Sequence, residues 1–346
     1  MPNPDPKPSR ILVVRPRGVG DTVLAVPALR NLRAAFPEAR IDVLVRPQAG
    51  DVLSRCPYQD ELIYWERSAR TIAKPGVHTG LIRTARWLRR RRYDRAYHLR
   101  QASSTALLLF LAGIPHRVGF GSEFGRFLMH RSARPSGNRH EVERVLDVLR
   151  ADNVPIIDTH NEGWTDPETD RIVARNLPPG NRPRVLLCAR SNSPLRNWRT
   201  DRFAVLVDWL MREYSADVFV CDSPANARYY DAIRSALPPT SAAHWHDWSS
   251  SLTLRGSLSL ISRMNLAVGV DTGLLHLAAA FHVPVVSLTL PVFANRFHPW
   301  DTAYRQVLPG AGVDQSDLDR IDLAAVKAAV ESMASLLAAS SSFVRS

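Results

Sequence analysis

The sequence predicts an α/β protein built from two successive doubly wound halves. Three observations carry that expectation. Short apolar strands alternate with amphipathic helices through the 346 residues. The alternation restarts after a stretch at 153–169 that holds Pro155, Gly163 and Pro167. Each half also has a glycine-bearing turn that joins a strand to a helix. A chain of this length exceeds one ordinary hydrophobic core. Two domains are therefore expected, 1–160 and 161–346, with ligand turns facing a cleft between them.

In the first half, Ile11-Leu-Val-Val14 is an apolar strand. Val23, Leu24, Val26, Leu29 and Leu32 then point inward from a helix over 22–35. A strand at 41–45 and a helix at 49–55 complete the doubly wound start. Strands at 62–64, 93–98 and 117–120 follow, with helices at 80–91 and 102–112. Val142, Val145, Leu146 and Leu149 make one face of a helix over 141–151. The second half opens with a helix at 167–176, which Pro178-Pro-Gly-Asn-Arg-Pro183 ends. Strands follow at 185–188, 217–221, 266–270 and 285–288. Helices are expected at 202–214, 225–235, 257–263, 274–281 and 323–338. No short internal repeat is visible.

Two turns carry chemistry. The strand ending at Val270 runs into Asp271-Thr272-Gly273, and a helix begins at once with Leu274, Leu275, His276 and Leu277. Free N–H groups and the positive end of a helix at a strand's carboxyl end make an anion site. Glycine at 273 lets a large ligand press on the backbone. A carboxylate beside that pocket, Asp271, suits sugar hydroxyls, so phosphate plus sugar points to a nucleotide-sugar. The plain alternative is an Asp/Thr cap on an ordinary helix. The first turn, Arg15-Pro-Arg-Gly18-Val-Gly20-Asp21-Thr22, imitates a dinucleotide fingerprint and fails as one. Val23 stands at the third glycine position, Asp21 would repel a pyrophosphate, and no acid closes the second strand to hold a ribose. Asp21, at a helix start that stabilises its ionised form, reads as a hydrogen-bond acceptor or base; a plain helix cap is the alternative.

Lysine plus arginine number 45 against 33 acids, a net charge of +12, and lysine occurs only at positions 7, 74 and 327. Arg83, Arg86, Arg89, Arg90, Arg91, Arg92 and Arg95 cluster around one helix and its end. Such a cluster suits nucleic acid, an anionic membrane or a phosphorylated glycolipid. No aromatic–basic RNA motif or zinc finger accompanies it, which argues against nucleic acid, and polybasic segments bind anionic lipid. A merely solvated helix face is the alternative. Cys56, Cys188 and Cys221 are far apart, so a metal or disulfide framework is not expected and a reducing cytoplasm fits. The start, 1–10, lacks the apolar core of a signal peptide. The longest apolar run, Ala106 to Ile114, is too short to span a bilayer.

Taken together, these motifs resemble glycosyltransferase family 9, the ADP-heptose:lipopolysaccharide heptosyltransferases. The resemblance runs from Ile11-Leu-Val-Val-Arg through Asp21-Thr-Val-Leu-Ala-Val-Pro-Ala-Leu-Arg30 and Phe36 to Val45. It returns at His140-Glu-Val-Glu-Arg144 and at Arg196-Asn-Trp198 with Phe203. It is strongest at Val270 to Ala280 with Val283-Pro-Val-Val286. It implies the GT-B architecture, with an acceptor domain first, a nucleotide-sugar domain second and a last helix crossing back to the first domain.

The resemblance also implies an inverting transfer in which Asp21 is the base, beside a loop holding Gly18 and Gly20. Arg196 stands where a basic residue meets the diphosphate. Asp271, Thr272, Gly273 and His276 bind the donor, and Arg126 and Arg144 meet an anionic acceptor. His276 as a packing histidine, Arg196 as a loop arginine, and Arg126 and Arg144 as solvated helix arginines are the plain alternatives. No D-x-D motif stands near a strand end, which points to metal-free transfer with ADP-heptose as co-substrate and no cofactor. The expected partners are that donor, a lipid-linked glycan and the inner-leaflet surface, with no nucleic acid. The expected place is cytoplasmic, peripheral on the inner membrane.

Three donor-side loops depart from the family pattern, at 189–193, 222–224 and 289–300. They bear on the donor nucleotide and sugar more than on the reaction, and Arg190 and Arg296 are candidates to offset lost backbone contacts. Another nucleotide-sugar or a protein acceptor, an inert carbohydrate- or nucleotide-binding homologue, and a membrane-surface scaffold are the alternative functions.

Overall fold

In the computed structural model, which describes residues 7–15, 17–66, 75–121, 126–134 and 137–335, the chain forms two units, Met1–Asn161 and Glu162–Ser346. The first unit contains β1 (Arg10–Arg15), α1 (Val19–Val23), α2 (Val26–Ala35), β2 (Arg40–Val45), β3 (Glu61–Glu66), β4 (Val77–Thr79), α3 (Leu81–Arg91), β5 (Arg95–His98), α4 (Ser103–Leu111), β6 (His116–Phe120), β7 (Arg131–Ala133) and α5 (Glu141–Arg150). Its strands pair in parallel in the order β4-β3-β2-β1-β5-β6-β7. Parallel strands covered on both faces read as unbroken apolar runs. Ile11 to Val14 are accordingly all buried, and Leu12 and Val14 pack with Leu44, Ile63, Trp65 and Leu88.

The second unit contains α6 (Pro167–Asn176), β8 (Arg184–Cys188), α7 (Thr200–Glu213), β9 (Asp217–Val220), α8 (Ala227–Ser235), α9 (Pro239–Ala242), β10 (Trp245–Asp247), α10 (Leu254–Ile261), β11 (Leu266–Val270), α11 (Gly273–Ala280), β12 (Val285–Leu288), α12 (Pro291–Ala294), β13 (Tyr304–Val307) and α13 (Leu323–Glu331). Its sheet order, β10-β9-β8-β11-β12-β13, is the doubly wound dinucleotide-fold order, again all parallel. Two such Rossmann-like units in tandem are the GT-B architecture that the resemblance implies.

Several expectations are corrected. The helix expected over 22–35 starts at Val19 and breaks at Leu24–Ala25. Pro27 is the reason: it has no N–H to give the carbonyl four residues back, so the helix must restart around it. Gly20 and Asp21 therefore lie inside α1 rather than in a loop. The segment expected as a helix at 49–55 is a 3-10 helix, Pro47–Leu53. The edge strands β4, β7, β10 and β13 are additions. Within the stretch at 153–169, the buried Asn31 side chain of α2 binds the Ile157 N–H at 2.7 Å and the Asp158 carbonyl at 2.6 Å. Gly163, in contrast, donates to Ala280 of the second unit at 2.9 Å. In α13, Val326 and Val330, with Met333 just beyond, are buried in the second unit's own core; the end of the last helix, past 335, is outside the described residues.

The arginine cluster also divides. Arg91 pairs with Glu61 and lies over the Trp87 ring at 4.6 Å. Arg95 is buried against Asp152 at 2.9 Å. Both are structural. Arg83, Arg86, Arg89, Arg90 and Arg92 remain exposed.

Candidate active site

In a doubly wound sheet, ligands bind beyond the carboxyl ends of the strands where the order reverses. That point lies between β8 and β11 in the second unit. Gly269, paired opposite Cys188, has φ +153°, and a Cβ there would sit 2.0 Å from the Cys188 carbonyl oxygen. Only glycine allows the strands to approach so closely, just before Asp271 leaves the sheet.

Asp271 is buried and receives two partners. Arg196 donates through Nη2 to its Oδ2 at 2.6 Å and to its backbone carbonyl at 2.7 Å. His276 Nε2 stands 3.2 Å from Oδ1. Thr272 occupies the cap position of α11, yet its side chain makes no capping hydrogen bond. The plain cap reading thus fails for Thr272. Its hydroxyl is enclosed against the Cys188 thiol, its hydrogen-bond partner, whereas Nδ1 of His276 is enclosed with none. Buried polar atoms are seldom left unanswered, which singles out the far nitrogen of His276 beside Asp271. The first-turn N–H groups of α11, starting at Gly273, have no partner within the helix by geometry.

Arg196 is aimed by its own loop. Asn197 accepts from the Ser191 N–H at 2.7 Å and donates to the Ser193 carbonyl at 3.0 Å, closing the loop on itself. Trp198 anchors it, buried edge-on to Phe203 at 5.0 Å and donating to the Ile321 carbonyl at 3.0 Å. The guanidinium of Arg196 lies 4.8 Å over the Phe293 ring. Phe293 and its neighbour Phe297, 6.3 Å from His276, belong to the divergent segment at 289–300, and sequence reasoning missed them. Arg296 lies over Phe297 at 5.0 Å and Arg190 over Tyr229 at 5.4 Å. The divergent Asp222 accepts from the Tyr230 hydroxyl at 2.9 Å, and that oxygen accepts from Ala189 N–H at 3.1 Å. Two altered loops are thus joined through one tyrosine.

The first unit reverses its order between β1 and β5. Asp21 lies there, its side chain one-fifth exposed. Arg15 Nη2 meets Oδ1 at 3.0 Å and Arg17 Nε meets Oδ2 at 3.1 Å. Arg15 is only 1% exposed. It also donates to the Leu99 carbonyl at the end of β5 and, at 2.8 Å, to Glu141. Glu141 in turn faces Arg144 Nε at 3.5 Å, and Arg144 lies over the Phe120 ring at 5.5 Å. Asp21, Arg15, Glu141 and Arg144 thus form one continuous ion chain. Arg144 is buried, not a solvated helix arginine. His140 caps α5, its Nδ1 accepting from Val142 N–H at 3.1 Å, while Glu143 pairs with Arg139 and Arg150. Arg126 stands apart on a short exposed turn, Arg126–Leu128. A Cβ at Gly18 would meet nothing within 4 Å, so the space beside α1 is open.

The sequence reading found neither Arg15 nor Glu141. The signal available was an arginine ending an otherwise apolar strand and an acid at the first position of α5. It also passed over His98, at the end of β5, which is fully enclosed with neither ring nitrogen partnered. Burial first, then the charges of Arg100 and Arg15, pull its imidazole down to about 3.

Residues 81–323 match the family model described as glycosyltransferase family 9 (heptosyltransferase); Asp21 lies before that segment. The chain is 28% identical over 304 residues to lipopolysaccharide heptosyltransferase 2 of Salmonella typhimurium, covering 82% of this chain and 83% of that protein. Among solved structures it resembles the Escherichia coli ADP-heptose LPS heptosyltransferase II, with TM-score 0.79 and 27% identity over 95% of this chain and 99% of that one. It shares the fold of a family 9 glycosyl transferase from Veillonella parvula, with TM-score 0.82 and 20% identity over 96% and 98% of the two chains. A match over most of the chain, two doubly wound units and a strand–turn–helix junction at the switch point of the second agree: the chain belongs to glycosyltransferase family 9 and is a glycosyltransferase.

Proposed function

We propose that this enzyme moves a heptose, with inversion, from ADP-heptose to an inner-core acceptor of lipopolysaccharide. The observation that carries the reading is the Arg196–Asp271 pair at 2.6 Å beside the uncapped start of α11. It sets a cation, a carboxylate and helix N–H groups at one switch point, matching a diphosphate joined to a sugar. The heptosyltransferase names of the similar proteins supply the sugar.

In this reading Arg196 and the N–H groups at Thr272 and Gly273 take up the charge that develops on the departing diphosphate. Asp271 and His276 meet donor hydroxyls. Asp21 accepts the proton of the acceptor hydroxyl as its oxygen bonds to the anomeric carbon. The bond to ADP breaks on the opposite side, which inverts that carbon. With both its oxygens held by arginines, Asp21 is fixed before substrate arrives, which is where orientation contributes most. Gly18, exposed at the start of α1, leaves the approach to Asp21 open, while Gly20 is buried within the helix. Arg126 offers an exposed guanidinium to acceptor phosphate or carboxylate, and Arg144 a more enclosed one. Arginine and helix dipoles stand where a metal would otherwise balance charge, so the reaction runs without metal or cofactor, at the inner face of the membrane where a lipid-linked acceptor is built.

The test is transfer itself. The protein, incubated with an inner-core acceptor and a panel of ADP- and UDP-sugars, should release ADP from ADP-heptose and extend the glycan, with or without EDTA. Turnover of a different nucleotide-sugar in preference would replace the donor assignment, and activity lost to EDTA and restored by Mg²⁺ would overturn the metal-free chemistry.

A further inference from the structure

The longest apolar run of the sequence became α4, and its burial is unusual. Thr105, Ala106, Leu108 and Leu109 face the core, but Leu107, Phe110 and Leu111 point outward, with Phe110 49% exposed. A helix that is apolar all round is normally buried or in lipid. Here one whole face, at i, i+3 and i+4 spacing, is left to solvent.

The neighbouring elements extend that face. α3 packs beside α4 and turns Ile82, 60% exposed, and Arg83, Arg86, Arg89 and Arg90 outward. A Cβ on Gly113, just past α4, would lie 3.8 Å from Arg89 Nε, so the arginines border the apolar face. On the other side Arg117 lies over Phe110 at 5.5 Å and donates to the Leu128 carbonyl at 2.6 Å, which seats the turn carrying Phe127 next to α4. Phe127 is 88% exposed. Neither 81–92 nor 102–118 contains an acidic residue.

We propose that this face of the first unit, α3, α4 and the Phe127 turn, is a docking surface for an anionic phospholipid bilayer. The arginines meet lipid phosphates, and Phe110, Leu111 and Phe127 enter the boundary between headgroups and acyl chains. Apolar side chains rimmed by arginines that pair with no acid among the described residues match that boundary. A second copy of the chain fits poorly, because a two-fold contact would set arginines against arginines. The assignment does not depend on which sugar the enzyme moves, and it names the surface and the inserting residues, which membrane localisation alone does not.

Sedimentation with vesicles of phosphatidylcholine alone, or of phosphatidylcholine and phosphatidylglycerol two parts to one, tests it on the full chain. Wild type should bind only the anionic vesicles, and high salt should weaken binding steeply. The combined Arg86→Gln, Arg89→Gln and Arg90→Gln variant should bind about a hundredfold more weakly, from roughly fivefold for each cation. Leu107→Ser with Phe110→Ser should lose most of the salt-resistant remainder while keeping the wild-type melting temperature and normal turnover of a water-soluble acceptor. In Phe127→Trp, brominated acyl chains should quench the added fluorescence beyond the wild-type background. No binding to anionic vesicles at low salt, equal binding to neutral ones, or no added quenching would overturn the proposal. So would a wild-type dimer, without lipid, that the Leu107/Phe110 variant dissolves, because the face would then belong to a second copy.

Discussion

Asp21 and Asp271 each stand just past a strand that borders the switch point of its sheet, but their surroundings differ. Around Asp21 the charges are answered from within: both oxygens meet arginines, and Arg15 is answered again by Glu141. Around Asp271 the carboxylate is held by Arg196 and His276, while the Thr272 hydroxyl has only the Cys188 thiol and the far nitrogen of His276 has no partner. The first arrangement is closed on itself; in the proposed mechanism the second is completed by the donor. That division suits a transferase: the group that takes the proton must be aimed in advance, whereas the leaving group is recognised by contacts formed on binding.

The largest effect that probes this contrast comes from Glu141→Gln. Removing the buried counter-charge leaves Arg15 with Asp21 as its one acidic partner and takes a carboxylate from Arg144, and breaking a buried ion pair costs about 3–5 kcal/mol. Chemical denaturation should show that loss in the first unit's transition, with ADP affinity unchanged. A neutral result would mean that the ion chain is not what fixes Asp21. In the second unit Arg196→Ala should weaken ADP binding by about 1.5–3 kcal/mol, and lysine should restore only part, having no planar fork. Calorimetry showing unaltered ADP binding would remove Arg196 from the donor site.

His98 gives a pH test of the first switch point. Its folded imidazole is pulled by burial to about 3, against an ordinary value of 6.5. The unfolded chain therefore takes up the proton first. Stability is complete above pH 6.5 and is lost as pH falls toward 3, by about 2 kcal/mol at pH 5. His98→Leu should flatten that acid limb in denaturant midpoints taken at pH 7 and pH 5. An unchanged slope would mean that His98 finds a proton partner. The smallest effect is expected for Thr272→Val. A hydroxyl with no strong partner contributes little to folding, so the melting temperature should hold, while donor affinity falls by about 0.5–1.5 kcal/mol. Lost stability with intact affinity would reverse the assignment.

What the sequence disclosed follows burial. The central strands, covered on both faces, read as apolar runs and were legible. The four strands missed, β4, β7, β10 and β13, are the outer edges of the two sheets, three or four residues long and partly exposed. The break at Pro27 was missed because the apolar spacing continues through it. At the site, Arg196 and Asp271 were legible as separate motifs, and only folding shows that they bond. Phe293 and Phe297 were hidden because their segment departs from the pattern that drew attention to it. Arg15 and Glu141 were hidden because an arginine and an acid 126 positions apart read singly as surface charges.

The central claim, a base fixed in advance in one unit and a donor site completed by ligand in the other, is tested most directly by Asp21→Asn. Turnover with ADP-heptose and ADP-heptose affinity should be measured on the same preparation. With Asp21 as the base, kcat should fall about 10²–10⁴-fold while the donor Kd stays at its wild-type value. A donor Kd that rises in step with the loss of rate, or a kcat that barely changes, would contradict it.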